Sequence, residues 1–145
     1  MANVFDVAKY ILRKAGPMSA MKLQKLIYYS QAWALVWDDN PLFPERIEAW
    51  ANGPVVPDLF NAHRGKFKLS EQDFPKGDPA ALAAHEQDTI DVVVAFYGEK
   101  SAQWLSDLTH SETPWKQARE GLPEGERGSN EISLESLSEY YSSLV

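Results

Sequence analysis

The chain has no cysteine, which removes disulfides, thiolate catalysis, iron–sulfur clusters and cysteine-ligated zinc. Histidine is scarce: His63, His85 and His110 lie too far apart for a local His-x-x-x-His metal site. Phosphate loops, GxSxG and GxGxxG are all missing, so neither cofactor nor metal is expected. No apolar stretch approaches the ~20 residues of a membrane span. The opening Met-Ala-Asn-Val-Phe-Asp puts a carboxylate where a secretion signal needs an apolar run. No membrane partner and a cytoplasmic location are the corresponding expectations. At 145 residues the chain is too short for a barrel of eight βα units, which takes roughly 250.

What is present suits a packed core: 44% of residues are apolar and 12% aromatic, more than a disordered chain carries. The length fits one domain over residues 1–145. The net charge of −7 is unevenly spread, with five basic residues against one acidic over 1–37 and one against six over 120–145. An acidic total argues against non-specific binding to nucleic acid, which depends on neutralising phosphates. It suits either a basic partner or plain solubility.

Asn3 can cap a first helix whose Val4, Val7, Ala8, Ile11 and Leu12 form one apolar stripe, and Gly16-Pro17 ends it. Ser19 opens a second helix reaching about Trp37. Its first turns set Leu23, Leu26 and Ile27 against Lys22 and Lys25, and between Leu26 and Trp37 only Ser30 and Gln31 are polar. A helix apolar all round is a buried one. Tyr28, Tyr29, Trp33 and Trp37 are therefore expected inside, with partners for their polar tips. Residues 42–56 read as a short strand pair or a helical turn. Pro57 suits the first position of a helix through Leu59, Phe60 and His63. Arg64 to Gly77 reads as loop. Asp78-Pro79 reads as the start of a long helix through Ile90, Val93, Val94 and Tyr97. Ser101, Thr113-Pro114 and Ser133 begin further helices, and Gly121 to Asn130 is a linker. The expected fold is mainly α: a compact single-domain helical bundle around a buried central helix, with at most one short strand pair near residues 42–56.

Catalytic signals are thin. Ser106 or Ser111, Asp107 and His110 supply the residue types of a triad, which is defined by geometry rather than spacing, but serine beside histidine is common. His110 is better read as a cap near the C-terminal end of its helix, where carbonyls lack partners, or as a partner-binding group. Lys22 and Lys25, with Lys9, Arg13 and Lys14, form either a small nucleic-acid footprint or a solvated face, and lysines usually stay exposed. Trp50 with Gly53, Pro54 and Pro57 is the segment packing explains least. Rigid proline loops beside large aromatics are preorganised for docking, although tryptophan is on average a core residue. The chain reads as a binding protein, not an enzyme.

Four strings in order carry a resemblance: Met21-Lys22-Leu23-Gln24-Lys25-Leu26-Ile27-Tyr28-Tyr29-Ser30-Gln31-Ala32-Trp33, then Ile47-Glu48-Ala49-Trp50-Ala51-Asn52-Gly53-Pro54-Val55-Val56-Pro57, then Leu105-Ser106-Asp107-Leu108-Thr109-His110, then Pro114-Trp115. Together they resemble the Panacea, or SocA-like, antitoxin domain, often labelled phage-associated protein, over nearly the whole chain. That family usually has an aromatic where this chain has Asn52 and often a glycine where Ala32 sits. The resemblance implies an antitoxin of a toxin–antitoxin pair, with a cognate toxin protein as partner. For members that act as adaptors it also implies an AAA+ protease. A DNA-binding regulator or a proteolytic adaptor of a mobile genetic element is the alternative. The candidate partner-binding residues are Lys22, Lys25, Trp50, Asn52, Pro54, Pro57, His110 and Trp115.

Overall fold

In a computed structural model, which describes residues Met1–Val145, seven α-helices carry most of the chain, and two small antiparallel sheets are set among its connecting turns and loops. Helix α1 (Val4–Ala15) begins where the Asn3 side chain accepts from the Phe5 and Asp6 amides, while Asp6 returns the bond to the Asn3 amide at 2.9 Å. It ends at Gly16, whose φ of 85° a side chain disfavours. The two-residue strand β1 (Met18–Ser19) follows, and Ser19 caps α2 (Ala20–Trp37) through the Lys22 amide.

Helix α2 is the element on which α1, α4 (Ala84–Tyr97), α5 (Ala102–Ser111) and α7 (Leu134–Ser142) converge. Eleven of its eighteen residues are buried. Its two buried glutamines are spent on turns that local backbone leaves open. Gln31 accepts from the Leu42 amide at 2.7 Å and donates to the Phe43 carbonyl at 2.9 Å. Gln24 does the same for Val56, accepting from its amide at 2.9 Å. Buried polar groups need such partners, and each glutamine here pins a loop to the helix. The core cluster of 30 residues runs from Ala2 to Tyr141, so both ends of the chain share it.

The expected interior helix is there, but not its last turn. Trp37 is 47% exposed and Trp33 half-buried, the two stacked at 5.0 Å. An apolar run predicts burial only as far as neighbours reach, and α2 outruns them. Lys25 is the opposite correction: expected on a solvated face, it is 1% exposed.

The undecided segment is a hairpin. Strand β2 (Ile47–Trp50) pairs with β3 (Gly53–Val55), Trp50 opposite Gly53. A third strand, β5 (Glu131–Ile132), adds to the other edge of β2, from a stretch just past the expected linker. Helix α3 (Pro57–His63) starts on Pro57 as its spacing predicts. Within the expected loop, β4 (Lys68–Leu69) pairs with β1. Asp78-Pro79 opens a 3-10 turn, Pro79–Ala81, rather than the long helix. Asp78 caps only Ala80, and its own amide is held by Asp6 at 2.7 Å. The helix proper starts at Ala84, with Glu86 reaching back to the Ala83 amide. Helix α6 (Thr113–Ala118) begins at its proline, and Ser133 caps α7.

A cationic cleft beneath the hairpin

Three elements meet at the turn of the hairpin: the first half of α2, helix α3, and the return loop that precedes β5. Trp50 leans edge-on against Phe60 of α3, centroids 4.8 Å apart, and its Nε1 donates to Glu48 at 2.9 Å. Behind the turn stand α5 and α6. Ser106 donates its hydroxyl to the Asn52 carbonyl at 2.8 Å, and Trp115 its Nε1 to the Trp50 carbonyl at 2.8 Å. Arg119, buried, donates to the Ala49 carbonyl at 2.9 Å and to the carbonyls of Pro123 and Glu126. One guanidinium thus fastens the Gly/Pro-rich return loop to the sheet, using a planar donor fork that lysine lacks.

Between these elements lies a cleft of about 290 Å³. Trp50, Phe60, Val55 and Met21 form its apolar wall. Gln24, Lys25, His63, Asn52 and Arg127 supply the polar groups. His63 sits against Gln24, ring Nε2 to amide nitrogen 3.1 Å, and burial lowers its pKa, leaving a neutral ring to accept that bond. Lys25 reaches the cleft from within α2. Its Nζ donates to the Pro54 carbonyl at 3.2 Å, and burial alone lowers its pKa to about 8. No carboxylate forms an ion pair with it.

The lysine fits because Gly53 has no side chain. Gly53 has φ +124°, and a Cβ there would stand 2.5 Å from Lys25 Cε and 3.2 Å from Thr109 Oγ1. Gly53→Ala is expected to cost about 2–3 kcal/mol, combining backbone strain with overpacking. Denaturant melts measure this, and a loss below about 0.5 kcal/mol would show that the lysine simply swings aside.

A second depression, about 510 Å³, lies on the far side of the turn, lined among others by Asn52, His110, Trp115 and Arg119. His110 packs on Trp115 with centroids 4.1 Å apart. Burial lowers its pKa while the Ala51 backbone opposes that shift, and its buried Nε2 has no partner. It therefore braces the hairpin instead of capping its own helix: the free carbonyl of Thr109 is taken by the Glu112 amide. No triad assembles. Ser106 is committed to Asn52, Ser111 to the Leu108 carbonyl, and Asp107 accepts from Gln103 at 2.9 Å.

Of the eight candidate residues, Lys25, Trp50 and Asn52 line the cleft, with His110 and Trp115 behind the same turn; Pro54 is outside the lining and meets it only through the carbonyl that accepts from Lys25. Lys22 does not join them: its Nζ donates to the Gly98 carbonyl at the end of α4, 2.6 Å away. Pro57 lies outside the lining and starts α3. The sequence reading missed Gln24, Phe60 and Arg127 here, and Arg119 behind them. Gln24 was detectable as a polar residue on a helix stripe otherwise apolar; Arg127 sits in a linker that carries no pattern.

The family described as Antitoxin SocA-like, Panacea domain, matches residues 23–116. This chain belongs to the SocA-like Panacea family. It is 32% identical over 126 residues to a protein named Antitoxin SocA from Caulobacter vibrioides (strain NA1000 / CB15N), an overlap of 75% of this chain and 66% of that relative. The chain thus spans just under two thirds of that relative's length. No solved structure matches it. The Panacea match takes in most of α2, the hairpin, α3, α5 and Trp115. Arg127, which lines the cleft, and Arg119, which fastens the return loop behind it, fall beyond it.

Proposed function

We propose that this Panacea protein is an antitoxin that acts in the cytoplasm by binding and neutralising a partner toxin protein, residues 1–145 forming its single binding domain. The observation that carries this reading is membership of the family together with the 32% identity to a protein named as an antitoxin. The hairpin supports it. Its turn is held from behind by Ser106, Trp115 and Arg119, so little ordering entropy is lost when a partner docks. The partner surface is assigned to Trp50 and Asn52 at that turn, over the support of Pro54, His110 and Trp115.

A DNA-binding role finds less support than the basic count of the first 37 residues implies. Lys25 is buried, Lys22 is tied to Gly98, and Arg13 and Lys14 pair with Glu71 and Asp91. No helix is long and apolar enough to cross a membrane.

The test is co-expression with the toxin encoded beside the gene. This protein is expected to restore growth and to co-purify with the toxin; a toxic neighbour that is neither rescued nor retained overturns the reading. Rescue that persists in a host lacking the AAA+ protease separates sequestration from delivery.

A further inference from the structure

We propose that the cleft beneath the hairpin is a subsite for a carboxylate carried on a short apolar or aromatic stem, with Lys25 as its counter-ion. Twelve residues line the cleft; two are cationic, Lys25 and Arg127, and none is acidic. That is a local reversal in a protein of net charge −7. An ammonium has three donors, and Lys25 uses one of them, on the Pro54 carbonyl. Buried charges are ordinarily paired, yet Lys25, 1% exposed, is in no ion pair; Arg127 adds an exposed positive charge at the rim. The missing acid is the ligand's.

The shape of the cleft sets the rest of that ligand. About 290 Å³ is available, and a cavity of ~150 Å³ already holds benzene, so a ring with a short carboxylate arm fits. Trp50 and Phe60, edge to face, with Val55 and Met21, give it an apolar bed. Gln24, Asn52 and His63 add neutral hydrogen-bonding groups. Phosphate, lacking a stem, leaves that bed empty.

This inference stands apart from the antitoxin reading, and its test needs no toxin. The full-length protein is titrated with 3-phenylpropionate, with the uncharged 3-phenylpropionamide, and with inorganic phosphate, following Lys25, Trp50 and Phe60 by NMR. Saturable binding of the acid is expected, with the amide and phosphate at least about tenfold weaker, the loss of one charge-assisted hydrogen bond. Lys25→Met is expected to weaken the acid about tenfold and the amide, which keeps only a neutral carbonyl for the ammonium, by much less, and Arg127→Gln to weaken the acid a few-fold, as for an exposed charge. Acid and amide binding alike, no binding of the acid, or an acid affinity indifferent to both substitutions would overturn the proposal. A Gly-Ser-Gly-Phe peptide with a free carboxyl terminus distinguishes the source. If it binds as the free acid does, the occupant is a chain end; if it is excluded while the acid binds, the occupant is a small molecule.

Discussion

Tyr29→Ala is expected to lower stability by about 3–5 kcal/mol, the range for deleting a large buried ring. Tyr29 is fully buried, stacked on Tyr97 at 4.1 Å and set edge-on to Tyr28 and Tyr141. Its hydroxyl donates to Glu112 at 2.7 Å, and Tyr141 donates to the same oxygen at 2.7 Å. Glu112 is the residue where α5 ends and α6 begins, so the cluster joins α2, the α5–α6 corner and α7. Burial pushes the Glu112 carboxyl up from its ordinary value, and the two hydroxyls hold it down. Tyr29→Phe keeps the ring and removes one donor, and about 1–3 kcal/mol is expected from an under-satisfied buried carboxylate. Tyr29→Phe with Tyr141→Phe should lose more than the two single losses added, because the second removal takes the remaining tyrosine hydroxyl from the same carboxylate oxygen. Urea melts of the four variants measure all of this. A Tyr29→Ala loss below about 1 kcal/mol would show the cluster to be peripheral.

The parts of this architecture that could be read from sequence are those fixed within a few residues. Asn3, Ser19, Ser101 and Ser133 each cap the helix they were expected to cap, because a cap needs only an oxygen and the amides two or three positions on. The same local logic misled at Asp78-Pro79, where a cap and a proline satisfy a single 3-10 turn as well as a helix. What stayed hidden was set by distant chain. Strand β5 exists because β2, over 80 positions earlier, offers an edge. Trp50 reads either as a core residue or as a docking anchor, and it is half-buried, lining a cleft whose other wall comes from the distant return loop. The basic pattern of α2 suggested solvent for Lys25. No spacing rule reveals that a glycine 28 positions later leaves room for its stem.

That lysine yields the second large effect. Its pKa is lowered from 10.5 to about 8 by burial, so the folded state releases the proton more readily than the unfolded chain. Below pH 8 both states hold the proton, and the fold bears the whole cost of a buried ammonium. Between 8 and 10.5 the unfolded chain binds more protons, so stability gains with rising pH. Above 10.5 the cost has gone. The difference is about 3 kcal/mol over that window. Lys25→Met fills the same space without the charge and gives up one hydrogen bond to Pro54, worth about 1 kcal/mol. The variant is therefore expected to be more stable than the wild type by about 2 kcal/mol at pH 7, and the two should converge and then cross as pH rises toward 10.5. Denaturant melts at pH 7, 8, 9 and 10 measure the difference directly. A Lys25→Met protein that is less stable at pH 7, with a difference flat in pH, would mean that the fold itself satisfies the ammonium. A stabilised variant that has also lost affinity for 3-phenylpropionate would show the buried charge to be held against the interest of stability, as binding sites often are.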